Sequence, residues 1–291
     1  MASAPKNPDD LVSDTASELP FLIRLLDDKD PAVRPIVRER ISEMGGDISH
    51  DLAALGIEIN TKGKKQLTRL LAPGRRETLR NEWLVPSGGL MALEDDWENF
   101  ENILRQISDF LHDGITLRPS LSDSLDLLVD EITEEIPVPT AEELRQWLFV
   151  EGRFSGVAKR ADALSNFDLC HVMDSRQGNP TSLAFLFILI GRRVGVQVDG
   201  CNYPGHFLAR IQIDGSPHLI DCYHAGRHFN IEALLEAHPE LSGQARAAVN
   251  DNCHLGVILR RYVTELHYTL IKVGRKEDAE LFKSLAKTLE S

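Results

Sequence analysis

The most apolar stretch of the chain covers residues 181–194, where hydrophobic side chains fall on every side of a helix with 3.6 residues per turn. Asn179 is a good N-cap before it, and Pro180 suits the first helical position, where a missing N–H costs nothing. Two arginines fall in the last turn, and Gly195 is placed to end the helix. The run is too short to span a bilayer. The pattern therefore predicts a buried core helix.

Strand-sized segments follow this helix. Residues 196–202 and residues 206–213 are each predicted to form a strand. The dipeptide Asp214-Gly215 comes next, and it favours the two-residue type I′ loop of a β-hairpin. If those two residues form the loop, Ile213 faces Ser216 on the returning strand. The pattern predicts a small antiparallel sheet after the core helix.

The hairpin register places one histidine near one aspartate. With the loop at Asp214-Gly215, Leu208 lies opposite Asp221. Because His206 and Leu208 share a sheet face, Asp221 is the diagonal cross-strand neighbour of His206, with the two backbones roughly 7–8 Å apart. Two polar side chains can meet over that distance. A slip of one residue would turn Asp221 to the other face, so the pair depends on this register.

Helical patterns occupy most of the chain before the core. Residues 1–16 are polar and are predicted to form a loose, disordered tail. Within residues 18–55, the phrase LLDDKDPAVRPIVRERISEMG resembles one HEAT-type helical repeat, and an ordinary helical subdomain explains it equally well. Residues 62–83 continue as basic helical material, which we interpret as a solvated face, with an anionic partner as the alternative.

Further helices are indicated by apolar spacing and by capping signals. Thr140 is followed three residues later by Glu143, and the two form a capping box at the start of one helix. The last two helices are predicted to be an antiparallel pair around Gly274. The other predicted helices and this pair cover residues 90–111, 121–136, 231–238, 244–250, 254–273 and 276–289.

Composition narrows the classes of function. The chain has 291 residues, of which 42% are hydrophobic, enough for a real core in one large domain or two ordinary ones. A net charge of −13 disfavours nonspecific binding to nucleic acid or to an anionic membrane. The first ten residues show no secretory signal, and the four cysteines have no CxxC spacing. We therefore expect a cytoplasmic protein with reduced thiols that binds neither nucleic acid nor membrane.

The order of a core helix, a strand opening with His and a strand ending in Asp is similar to the transglutaminase-like core, a papain-related Cys-His-Asp fold. The amino-acid sequence over residues 140–290 resembles the SirB-type branch of that superfamily. The matching phrases are LRQWLFVEGRFSG, SNFDLCHVMDSRQGNP, TSLAFLF, GRRVG, PGHFLAR and LIDCYHAG.

This resemblance implies an α+β fold with a helical N-terminal region, a papain/transglutaminase-like core containing a small antiparallel sheet, and a C-terminal helical pair. We expect the tail over residues 1–16, the helical region over 17–112, the core over 113–250 and the helical pair over 251–291.

One departure from the superfamily's pattern bears on function. In its enzymes a cysteine opens the core helix, usually four residues before an alanine. Here Ala184 puts that position at Pro180, followed by Thr181 and Ser182, and no cysteine stands there. Without a thiolate, the ordinary acyl-transfer chemistry of the superfamily lacks its nucleophile.

The best candidates for chemistry are His206 and Asp221. An aspartate that accepts from one ring nitrogen fixes the tautomer and leaves the other nitrogen to act on a substrate or nucleophile. A relic pair that only stabilises the sheet is the alternative. Thr181 and Ser182 offer hydroxyls at the helix N-terminus, either as substitute nucleophiles or as simple caps of the first turn.

Other polar residues are expected around this pair. His218, Cys222, His224 and His228 form a loose donor cluster without the ligand spacing of a zinc site, so we predict no metal and no cofactor. Cys201 and Cys222 could be displaced nucleophiles, but Cys222 points to the opposite sheet face from Asp221 in this register, and Cys201 is interpreted as a buried thiol. The residues expected to bind a ligand at the mouth of the groove are Asn179, Pro180, Tyr203, Tyr223 and Arg227.

Two hypotheses of different class follow. The first, which we favour, is a non-catalytic binding or regulatory module that uses the old active-site groove for a peptide or protein partner. The second is a cysteine- or hydroxyl-dependent hydrolase or acyltransferase built on His206 and Asp221. A hydroxyl or thiol held beside His206 would favour the enzyme, whereas a groove sealed by Pro180 and Phe207 would favour the binding module.

Overall fold

The computed structural model describes residues 14–86, 88–158, 163–251 and 253–289, so residues 1–13 of the predicted tail lie outside the described residues. The chain divides into two compact units. One comprises Met1–Glu82 and His112–Arg118, and the other comprises Trp83–Leu111 and Pro119–Ser291.

The described part of the first unit is built from four helices, α1 (Asp14–Leu25), α2 (Val33–Ser42), α3 (Ser49–Ala54) and α4 (Thr61–Glu82). Its apolar side chains fall at helical spacing, which turns one stripe of each helix inward. The core of the unit consists of Leu19, Leu22, Val37, Ile41, Ile48, Leu52, Leu67, Leu71 and Ile115. The helical segments predicted before residue 83 are therefore confirmed.

The second unit contains nine α-helices among its described residues. They are α5 (Trp97–Leu111), α6 (Leu121–Glu135), α7 (Ala141–Arg145), α8 (Leu169–Ser175), α9 (Pro180–Arg193), α10 (Ile231–Ala237), α11 (Gly243–Asn250), α12 (Leu255–Lys272) and α13 (Lys276–Thr288). Thr140 and Glu143 form the predicted capping box, because the Thr140 side chain accepts from the Glu143 N–H and the Glu143 side chain accepts from the Thr140 N–H. The closing helical pair, α12 and α13, is confirmed.

The helix predicted over residues 90–111 is shorter than the apolar spacing suggested. A 3-10 helix covers Gly89–Asp95, and α5 begins only at Trp97. Asp96 explains the break, since its carboxylate accepts the Asn99 backbone N–H at 3.1 Å and so caps the start of α5.

Two small sheets complete the second unit. Strands β1 (Ser155–Gly156) and β2 (Gln177–Gly178) pair in parallel. Strands β3 (Asp199–Cys201), β4 (Leu208–Ile213), β5 (Ser216–Asp221) and β6 (Arg227–Asn230) form an antiparallel sheet in sequence order. The predicted hairpin register is observed, with Ile213 opposite Ser216 and Ala209 opposite Ile220. Asp214 and Gly215 both have positive φ, as a type I′ loop requires.

Helix α9 forms the centre of this unit. All of its residues from Thr181 to Gly191 are buried, and it packs against α6, α8, β3 and β4. Helices flanking a small antiparallel sheet give an α+β fold, as expected. None of the described helices has the length and apolar content needed to cross a membrane.

Candidate functional site

Helix α9 begins with the cap that its sequence indicates. The Asn179 side chain accepts the Ser182 backbone N–H at 2.8 Å, and Pro180 occupies the first helical position. Asn179 is 5% exposed, so its amide faces the protein interior. The structure thus places Asn179 and Pro180 in the helix start.

The two hydroxyls beside the expected nucleophile position are both engaged. Ser182 Oγ donates to the Asn166 carbonyl at 2.5 Å and lies 3.4 Å from the Tyr262 hydroxyl. Thr181 Oγ1 donates to the Glu265 carboxylate at 2.8 Å. Ser182 is 0% exposed and Thr181 is 2% exposed, so a substrate has no direct access to either hydroxyl.

Helix α12 supplies the group that holds Thr181, and it extends the network toward the sheet. Glu265 also accepts from Arg261 Nε at 2.7 Å, and Arg261 Nη1 donates to the Asn202 side chain and to the Tyr203 carbonyl. Both oxygens of the Glu265 carboxylate therefore accept hydrogen bonds, one from Thr181 and one from Arg261. The start of α9 is therefore tied through α12 to the loop before β4.

That loop places His206. Pro204 and Gly205 are the central residues of a turn that is closed by a hydrogen bond from the His206 N–H to the Tyr203 carbonyl at 3.2 Å. Gly205 has φ +79°, the left-handed conformation that glycine adopts without strain in a type II turn. Strand β4 consequently starts at Leu208 rather than at the predicted His206, and the imidazole lies at the strand entrance.

His206 and Asp221 meet, as the hairpin register predicts. The distance from His206 Nε2 to Asp221 Oδ1 is 3.1 Å. Asp221 is the last residue of β5 and is almost fully buried, whereas the His206 side chain is 31% exposed.

A second histidine contacts the same carboxylate. The His224 backbone N–H donates to Asp221 Oδ1 at 3.1 Å, and His224 Nδ1 lies 2.8 Å from Asp221 Oδ2. Ala225 and Gly226 both have positive φ, which reverses the chain after His224 and leads it into β6. The ring centroids of His206 and His224 are 5.9 Å apart. One carboxylate thus links two imidazoles.

The electrostatics of Asp221 follow from these contacts. Burial alone would raise the pKa of its carboxyl, but the hydrogen bonds from His206 and His224 outweigh burial and hold the pKa at about 2. Asp221 is therefore a carboxylate at any physiological pH.

His224 is the residue of this site whose role sequence reasoning missed. The sequence places it in a loose set with His218, Cys222 and His228, and those residues do not converge. His218 and His228 stack on each other with ring centroids 5.3 Å apart, on β5 and β6. The spacing Asp-x-x-His directly after a strand was the available signal, because an aspartate commonly accepts the N–H of a residue two or three positions later.

Three of the four cysteines, Cys201, Cys222 and Cys253, are poor nucleophiles. Cys201 is buried, as expected, and so is Cys222, and burial raises the pKa of both thiols, to about 11 for Cys201 and higher still for Cys222. Burial also raises the pKa of Cys253 to about 11. Reactive cysteines need the opposite, a lowered pKa with access to solvent. Within the described chain no hydroxyl or thiol lies within hydrogen-bond reach of the His206 ring.

Of the remaining residues that were predicted to bind a ligand, the two tyrosines pack against other parts of the protein and the arginine is exposed. The Tyr223 hydroxyl donates to the Val157 carbonyl at 2.6 Å, and its ring packs edge-on against His224. Tyr203 is half-buried and packs against a small hydrophobic cluster formed by the antiparallel sheet and the helices beside it. Arg227 lies opposite Asp221 in the register of β5 and β6. Its side chain is exposed, and the guanidinium lies over the Phe229 ring.

Comparison with known proteins agrees with the fold. Residues 119–263 match the family model described as the transglutaminase-like superfamily, so the chain carries a transglutaminase-like domain there. It is 37% identical over 103 residues to a UPF0162 protein of Xylella fastidiosa strain Temecula1, covering 35% of this chain and 37% of that protein. It is 32% identical over 142 residues to a UPF0162 protein of strain 9a5c, covering 47% of this chain and 50% of that protein. The chain thus spans half or less of these curated relatives. No solved structure matches.

Proposed function

We propose that this chain is a transglutaminase-like protein of the SirB type that has lost acyl-transfer chemistry. It is a pseudoenzyme that serves in the cytoplasm as a binding or regulatory module for a peptide or protein partner. The observation that carries the proposal is the sealed start of α9, where Thr181 and Ser182 are buried and their hydroxyls donate to Glu265 and Asn166.

The chemical argument concerns the missing nucleophile. Acyl transfer needs a nucleophile about 2.6–3.2 Å from a general base, in a place that substrate can reach. His206 has an aspartate on one ring nitrogen and no hydroxyl or thiol among the described residues on the other. The Thr181 hydroxyl, which donates to Glu265, is buried and so lies outside the reach of a substrate.

The surface around the dyad supports binding. His224 exposes 56% of its side chain and His206 exposes 31%. Arg227 is also exposed, and it lies opposite Asp221 in the β5–β6 register. Ring N–H groups and a guanidinium are donors, so they favour a partner segment rich in carbonyl or carboxylate acceptors.

The SirB-type assignment is also a proposal. It is supported by the phrases SNFDLCHVMDSRQGNP, PGHFLAR and LIDCYHAG, which occur in order within the matched domain. The proline at the nucleophile position agrees with the same branch.

A turnover assay tests the loss of catalysis. The full chain, its His206→Ala variant and a His238→Ala control are assayed for hydrolysis of activated esters and peptide amides and for amine incorporation into glutamine peptides. His238 is a suitable control because it is exposed and pairs with Glu240 outside the site. We expect the three proteins to give the same background rate. A rate that falls only in His206→Ala would overturn the pseudoenzyme and favour the acyl-transfer alternative.

A binding assay tests the second part of the proposal, that the chain binds a peptide or protein partner. Peptides selected from a displayed library against the full chain are measured with Arg227→Ala and with Arg24→Ala. Arg24 is an exposed arginine of the other unit, so it serves as the matched control. We expect Arg227→Ala to weaken the selected peptides about tenfold, roughly 1.4 kcal/mol, with Arg24→Ala unchanged. Equal affinity for both variants, or no selectable peptide, would contradict the proposal.

A further inference from the structure

The side chains of His206, Asp221 and His224 converge on one point. His206 Nε2, a carboxylate oxygen of Asp221 and His224 Nδ1 all lie within 4.8 Å of one another. The two ring nitrogens face the carboxylate at 3.1 Å and 2.8 Å. These three residues come from the turn before β4, the end of β5 and the turn after β5, so the backbone brings together groups that are not adjacent in sequence.

Their spacing suits a metal ion as well as hydrogen bonds. Nitrogen and oxygen ligands bind first-row transition metals at about 2.0–2.2 Å, which places neighbouring ligand atoms of a tetrahedral site roughly 3.3 Å apart. The observed carboxylate–imidazole separations need only small adjustments to reach that value. His224 is the most exposed of the three side chains and can adjust without disturbing the core.

The types of ligand atom in this cluster restrict which metal ions could bind. Two imidazoles and one carboxylate form the donor set of many mononuclear zinc and iron sites, in which three protein ligands leave coordination positions open for water. The backbone N–H of His224 donates to Asp221 Oδ1 and fixes the orientation of the carboxylate. The exposed parts of the two histidines give an ion and its water ligands access from solution.

The proton balance is also simple. Without metal, each imidazole that donates to Asp221 carries its proton on the nitrogen facing the carboxylate. On metal binding, that nitrogen gives its lone pair to the ion and the proton moves to the other ring nitrogen, the alternative neutral tautomer. The other ring nitrogens of His206 and His224 have no protein partner among the described residues, so they can take those protons.

We infer that His206, Asp221 and His224 form a binding site for one divalent first-row transition-metal ion, with open positions facing solvent. The inference goes beyond the proposed binding function, and the donor set alone carries it.

Titration of the full chain with Zn²⁺ tests the inference, after treatment with chelator and dialysis. Calorimetry near neutral pH gives stoichiometry and affinity, and Co²⁺ in place of Zn²⁺ gives a visible spectrum that reports nitrogen and oxygen ligands. The variants are His206→Ala and His224→Ala, with His228→Ala as the matched control. His228 is an exposed histidine of the neighbouring strand, stacked on His218 and outside the converging set.

We expect one ion per chain, with affinity reduced at least about tenfold in both site variants and unchanged in His228→Ala. Because His224 is mostly exposed, its variant is expected to keep the wild-type circular dichroism, which separates lost binding from lost folding. No saturable binding by the wild-type chain, or wild-type affinity in His224→Ala, would overturn the inference. A loss confined to His228→Ala would also overturn it. No peptide enters this titration, so its failure is distinguishable from failure of the proposed partner binding.

Discussion

Replacing Asp221 with asparagine removes the charge that two histidines share while keeping the size of the side chain. In the folded chain the pKa of Asp221 is about 2, against an ordinary value of 3.8. Each pKa unit corresponds to about 1.4 kcal/mol, so the ionised carboxylate contributes about 2 kcal/mol to the free energy of unfolding. The side chain is only 12% exposed, so solvent screening removes little of this contribution.

The contribution has a defined dependence on pH. Because the folded pKa lies below the unfolded pKa, the stabilisation is fully present above about pH 5 and is lost as pH falls toward about 2. We expect Asp221→Asn to lower the free energy of unfolding by about 2 kcal/mol at pH 6 and by only about 1 kcal/mol at pH 3.

Urea unfolding of the wild-type chain and of Asp221→Asn between pH 3 and pH 6 measures this difference, with the exposed Asp174→Asn variant as control. The gap between wild type and Asp221→Asn should shrink as pH falls, and Asp174→Asn should follow the wild type throughout. A gap that stays constant or widens toward pH 3 would refute the assignment of the stabilisation to an ionised Asp221.

Two further predictions concern α9 and α12. Ser182→Ala leaves the buried Asn166 carbonyl without its hydroxyl donor, and we expect it to lower the free energy of unfolding by about 1–2 kcal/mol in urea titrations, with no effect on peptide binding; unchanged stability would count against the hydrogen bond. Gly256→Ala places a Cβ atom 2.2 Å from the Leu90 carbonyl oxygen, whereas Gly243→Ala meets nothing within 4 Å. We expect a loss of about 1–3 kcal/mol for the first only, and equal melting temperatures would contradict this packing.

Local signals explain how much of the fold the sequence could predict. Helix α9 follows from an apolar run with Asn179 and Pro180 before it, and the β4–β5 register follows from a dipeptide that prefers positive φ at both positions. Both are decided within a few residues. The His206–Asp221 contact follows from that register, because a two-residue loop fixes which residues face each other.

Contacts between distant segments could not be predicted in the same way. The partners of Thr181 and Ser182 include Glu265 and Tyr262, more than 75 residues further along the chain. Amphipathic spacing shows which face of α12 is buried, but it does not fix which residue of α9 that face will meet. The role of His224 depends on a local turn in which Asp221 accepts the His224 backbone N–H, and no apolar pattern marks that turn.

The contact between Thr181 and Glu265 also bears on how such a chain could change. A Thr181→Cys substitution would restore a thiol near the place where the superfamily's enzymes carry one, but the thiol would face a carboxylate. A neighbouring negative charge disfavours the thiolate, so the new sulfur would be less reactive than an ordinary cysteine. A reactive thiol at this position would therefore need two changes, one in α9 and one in α12. Helix α12 therefore influences the chemistry available at the start of α9, through the Glu265 carboxylate.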